Sequence, residues 1–70
     1  MEISIRENED FIRLGQALKK AGIAGSGTDA KMMITDGLVL VNGTTELRRG
    51  RKLYPNDTVS VGNEVFQITK

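Results

Sequence analysis

Four of the five residues 48–52 are basic: Arg48, Arg49, Arg51 and Lys52. They lie in the stretch ELRRGRKLYPNDTV (46–59), which has no carboxylate between Glu46 and Asp57. Like charges this close repel, so the run costs stability unless a polyanion uses it. Arginine suits that use, because its guanidinium grips phosphate in a bidentate way and can lie flat on a base. The plain alternative is a solubilising charge run on a solvated loop. In either case the loop is expected to be solvated, so Arg49→Glu with Arg51→Glu should abolish polyanion binding and leave the fold intact.

A second basic group is separate in sequence: Arg13, Lys19, Lys20 and Lys31. Lys20 follows Arg13 by roughly two helical turns, so on one helix the two share a face. If a second helix packs beside the first, Lys31 joins the same surface. A hairpin turn at Asn42-Gly43 would bring the 48–52 loop to its edge. A groove between helix pair and loop would then be positive along its length.

Catalytic chemistry is poorly provided for. The chain has no histidine and no cysteine, the commonest general bases and thiol nucleophiles. Asp36 stands at a helix end beside Gly37, and Asp57 follows Pro55-Asn56 in a turn; both have structural explanations. The stretch GSGTDAK (25–31) resembles a phosphate-cradling loop only superficially, since it lacks the Gly-Lys-Ser/Thr ending and follows no apolar strand. The free N–H groups of the helix it opens can still hold a single backbone phosphate, with Lys31 adding charge. The alternative there is an ordinary helix cap.

Several elements must position these residues. EISIR (2–6) alternates Ile3 and Ile5 with polar neighbours, which predicts a half-buried strand. In NEDFIRLGQALKKAG (8–22), Phe11, Leu14, Leu18 and Ala21 make one apolar helical stripe. Asn8 is the expected N-cap, Glu9 and Asp10 suit the positive helix end, and Gly22 suits the C-terminal turn. Gly15 reads as a mild helix weakness of about 1 kcal/mol. Residues 23–37 predict a turn and a second short helix capped by Ser26 or Thr28, with Ala30, Met33 and Ile34 facing inward. LVLVNGTTEL (38–47) predicts a hairpin on Asn42-Gly43. Pro55-Asn56 and Gly62-Asn63 are turns ahead of strands carrying Val59, Val61, Val65, Phe66 and Ile68. The result is an α+β domain of two short packed helices followed by a small antiparallel sheet.

The 70 residues suffice for one domain, 1–70, near the lower limit for a self-sufficient core. Net charge is +1, yet residues 1–10 carry −3 and the remainder +4. No apolar run is long enough for a membrane helix, and the acidic N-terminus lacks a signal-peptide layout. A cytoplasmic location and a monomer with no cofactor and no metal are the expectations. Of the three aromatics, Phe11 and Phe66 read as core, and Tyr54 either stacks or packs. So few exposed rings argue against an open single-strand platform. They favour recognition of folded RNA by shape and phosphates.

The stretch from Arg13 to Val59 resembles the S4-type RNA-binding domain, the alpha-L motif, and especially its small stand-alone bacterial members. Their hallmark is Val-Asn-Gly, then Glu-x-Arg-Arg-Gly-x-Lys-Leu, then Asp-x-Val. Here these are Val41-Asn42-Gly43, Glu46 to Leu53, and Asp57 with Val59. The resemblance covers about residues 11–61. It implies a non-enzymatic module binding structured RNA, ribosomal or transfer RNA, and ribosomal particles as a further partner. Carried over by position, Arg13, Lys31, Asn42, Arg48, Arg49, Arg51 and Lys52 are the RNA-binding residues, to which the basic helix positions Lys19 and Lys20 are added. Gly15 stands where the family pattern has Asp, and SGTDAK lacks the usual arginine at the start of the second helix. Both departures move the expected phosphate contacts toward the 48–52 loop. An adaptor whose basic loop docks on an acidic protein surface is the other reading.

Overall fold

The computed structural model describes residues 1–70. β1 (Glu2–Ser4) alternates as expected, with Ile3 inward and Glu2 and Ser4 outward. The first helix starts later than its apolar period suggests. Ile12–Arg13 is extended and forms β2, paired antiparallel with β5 (Lys52–Leu53), so that Arg13 stands opposite Lys52. α1 then runs only over Leu14–Lys20, with Arg13 as N-cap and no side-chain cap. Two of its first free donors are satisfied from the basic loop instead. Leu14 N–H donates to the Arg51 carbonyl (2.9 Å) and Gly15 N–H to that of Arg49 (3.0 Å). A tertiary contact thus replaces the local cap at Asn8. Glu9 and Asp10 fall in the preceding segment, not on the helix dipole.

α2 (Gly27–Thr35) follows the expectation. Ser26 Oγ accepts from Asp29 N–H at 3.1 Å, and Gly37 ends the helix region with φ +78°. Ala30 and Ile34 are buried, and Met33 packs at the edge of the core.

The remaining strands are β3 (Val39–Val41), β4 (Thr44–Thr45), β6 (Thr58–Val61) and β7 (Glu64–Thr69). The main sheet has the order β1-β7-β6-β3-β4. It is antiparallel except at β1, which pairs parallel with β7 and sets Ile3 beside Ile68. The small sheet is therefore mixed, because the first strand joins along the edge of the last. Period-two alternation sends Val39, Val41, Val59, Phe66 and Ile68 to one face. Leu14, Ala17, Leu18, Ala30 and Ile34 cover that face from the helix pair. Phe11 is absent from this cluster and is only half-buried.

Two turns present the site. Asn42 and Gly43 take φ +52° and +84°, the left-handed pair that a tight I′ hairpin needs. In the Tyr54–Asp57 turn, Pro55 is followed by Asn56 at φ +79°, and Asp57 N–H donates to the Tyr54 carbonyl at 3.0 Å. That is the type II arrangement.

Candidate nucleic-acid interface

The charge repulsion in the 48–52 loop is answered from inside the chain. Glu46 leaves β4 and is buried, at 7% exposure. Its Oε2 accepts from the Arg48 backbone N–H and from Arg48 Nε, both at 3.0 Å. Its Oε1 accepts from Arg48 Nη2 (3.1 Å) and Arg51 Nη1 (2.9 Å). Hydrogen bonding from the Arg48 guanidinium is the chief cause that lowers the carboxyl from 4.5 to about 2; burial opposes it and Arg51 adds to it. Arg48 is in turn held more firmly protonated by Glu46. One carboxylate thus organises two of the four loop cations.

This corrects the picture of a fully solvated loop. The Arg51 side chain is only 31% exposed and belongs to the Glu46 pair. A glutamate at position 51 would confront Glu46 across that contact. The Arg49→Glu, Arg51→Glu double variant therefore attacks the fold as well as the surface. Arg49 is exposed and makes no side-chain hydrogen bond or ion pair.

The loop is also tied to the helix pair. Arg13 Nη1 donates to the Gly50 carbonyl at 2.8 Å. Gly15 lies so close to the loop that a Cβ there would stand 2.7 Å from Arg49 Cγ. Gly15 is thus a close-approach position, not merely a weak helix residue. Gly15→Ala would gain about 1 kcal/mol of helix propensity but must push the Arg49 stem aside. We expect a Tm close to the parent's and a several-fold loss of polyanion affinity, read by thermal melting and a binding titration.

Between the start of α2 and the loop runs an open groove. It is lined by Gly27 and Ala30 of α2, by Gly15, Gln16 and Lys19 of α1, and by Arg13, Arg49 and Gly50. Past Arg13 it continues along Arg48, Arg51 and Lys52. Arg13, Lys19 and Arg49 thus share the lining of one open groove. No group of three or more His, Cys, Asp or Glu side chains is placed to hold a metal ion.

The S4 domain family model matches residues 3–69. The chain belongs to the S4 domain family. It is 45% identical over 60 residues to the probable ribosome maturation protein RlbA of Bacillus subtilis, covering 84% of each chain. It is 35% identical over 57 residues to the putative RNA-binding protein YbcJ of Escherichia coli, covering 81% of each. The solution structure of YbcJ, described as revealing an alpha-L motif involved in RNA binding, superposes with a TM-score of 0.73 at 30% identity. That match covers 99% of this chain and 86% of YbcJ. The alpha-L architecture of this S4 domain is thereby established.

Within it, the structure separates the residues that the sequence grouped. Arg13, Lys19, Arg48, Arg49, Arg51 and Lys52 line the groove and its continuation. Lys20 does not. Its Nζ donates to the Ser4 carbonyl at 2.7 Å, on the side facing β1. Arg13 lies in the extended segment before α1, so helical spacing does not relate it to Lys20. Lys31 is exposed one turn beyond Gly27 and is not part of the groove lining. Asn42 serves as a clamp between turns. Its Nδ2 donates to Asp57 Oδ1 (3.1 Å) and its Oδ1 accepts from Thr58 N–H (2.9 Å). Asp57 Oδ2 also accepts from Tyr54 N–H (2.8 Å).

Sequence reasoning missed Phe11. Its ring lies beneath two cations, with Arg13 Cζ at 5.4 Å and Lys52 Nζ at 4.8 Å from the centroid. The Tyr54 ring centroid is 6.1 Å away, tilted by 53°. The missed signal was period two: Phe11-x-Arg13 against Lys52-x-Tyr54 reads as two facing strands.

Proposed function

We propose that this S4 domain binds structured RNA, ribosomal or transfer RNA, through the groove between its helix pair and the 48–52 loop. One observation carries the reading. Arg13, Lys19, Arg49 and Lys52 converge on the groove and its continuation, and none of them is ion-paired to a carboxylate. Unpaired cations held on a rigid frame suit a polyanion with spaced phosphates. The names of the relatives point the same way: one is a ribosome maturation protein, the other an RNA-binding protein. Ribosomal RNA is the favoured ligand on that ground, with the ribosomal particle as its setting.

The role is binding without catalysis. Asp57 is held in the turn clamp, and Asp36 sits exposed at the C-terminal end of α2, which it closes through its backbone N–H. The unit is read as one domain, 1–70, acting as a monomer in the cytoplasm without a cofactor. No helix is long and apolar enough to cross a membrane.

The test is crosslinking in lysate followed by RNA sequencing, with a salt titration on the RNA recovered. One RNA class should be enriched. With about four phosphate contacts, log Kd should rise with log salt at a slope of roughly 3. No enrichment, or a slope near zero, would count against the reading and favour an acidic protein surface as the partner.

A further inference from the structure

β2 and β5 form a two-stranded ribbon whose faces differ. Leu53 is fully buried, and Ile12 opposite it packs against the core. By strand alternation the other face carries Arg13 and Lys52, with Phe11 and Tyr54 one step further along. Arg13 and Lys52 are directly opposed in the register, a like-charge pairing that destabilises a sheet. Neither has a carboxylate partner, and both lie over the Phe11 ring. Beside them Tyr54 is 46% exposed, held at its N–H by Asp57 and followed by the Pro55 turn. Two rings and two uncompensated cations therefore share one small solvent-facing patch. The rings are pinned by strand pairing, by a turn and by one another.

We propose that this patch is a stacking subsite for a single unpaired nucleobase of the bound RNA. The inference rests on the RNA-binding reading and deepens it by naming the feature recognised. A bulged, looped or terminal base lies on the exposed Tyr54 ring, which Phe11 backs from the side. Lys52 and Arg13 take the phosphates flanking that base. Arg13 and Lys52 also line the continuation of the groove, so the patch adjoins the surface that holds the backbone. A uniformly paired stem has no base to offer, whereas an extruded base has an open π-face that aromatic rings favour. The two cations also explain why few aromatics suffice: one ring is exposed for stacking and phosphate contacts supply the rest.

The experiment compares two RNA duplexes with paired, blunt ends, differing only in one bulged 2-aminopurine, against the parent protein and Tyr54→Leu. The parent should bind the bulged stem about tenfold more tightly than the paired one. Its binding should also change the 2-aminopurine fluorescence as the base stacks. Tyr54→Leu, its fold checked by thermal melt because Tyr54 also packs on Phe11, should abolish both the preference and the fluorescence change. Its salt slope should match the parent's, because the phosphate contacts are kept. Phe11→Leu, checked by its thermal melt, should weaken the preference in the same direction. Equal affinity of the parent for both stems with a normal salt slope overturns the stacking subsite and leaves the RNA-binding reading standing. Failure to bind either RNA overturns both.

Discussion

Glu46→Ala is expected to cost the fold about 3 kcal/mol, the scale for removing one partner from a buried ion-pair network. In a domain this small that lowers Tm by on the order of 15 °C. Arg51, largely enclosed, loses its partner and Arg48 loses its anchor, so the loop between β4 and β5 loosens. That loop also supplies the carbonyls that cap α1, which makes the damage spread beyond the site. Acid should produce a milder version of the same loss. The folded-state value, about 2, lies below the ordinary 4.5, so the stabilisation is present above pH 4.5 and fades as pH falls toward 2. Arg48 stands in solvent, so after screening the loss is on the order of 1–2 kcal/mol. Glu46→Gln should melt lower than the parent at neutral pH and show none of this acid dependence at position 46. Melts of the three proteins between pH 2 and pH 7 decide it. A Tm for Glu46→Ala equal to the parent's would mean that the buried carboxylate organises nothing.

The sequence was most informative where the cause of structure is local. Asn42-Gly43 and Pro55-Asn56 carry their turns in their own backbone preferences, and Ser26 caps α2 from three residues away. The start of α1 was misplaced because its cap comes from Arg49 and Arg51, more than thirty residues distant. Phe11 fits a helical stripe with Leu14 and Leu18 as well as it fits a strand, and only the pairing with β5 decides between them. The basic cluster was plain as composition. Its division into anchored and free cations was not, since it depends on Glu46 turning inward beneath Arg48 and Arg51. Lys20 was misgrouped for the same reason as Phe11: helical spacing was extended across residues that are strand.

That division makes the sharpest test of the interface. Lys19→Glu with Arg49→Glu should reduce RNA affinity at least 100-fold while the melting curve stays within a few degrees of the parent's. Each side chain is exposed, and neither makes a hydrogen bond or ion pair within the chain. Each reversal removes a charge-assisted phosphate contact and adds a repulsion, about a tenfold effect or more per site. Lys20→Glu makes the same change in charge one residue away from Lys19. It faces β1 rather than the groove, so its affinity should stay within a few-fold of the parent's. The comparison separates a shaped site from a general positive field, because a diffuse field would respond equally to Lys19 and Lys20. Equal losses from the single reversals Lys19→Glu and Lys20→Glu would reduce the groove to net charge. A large loss at Lys19 and Arg49 with little at Lys20 would place the RNA backbone between α2 and the loop.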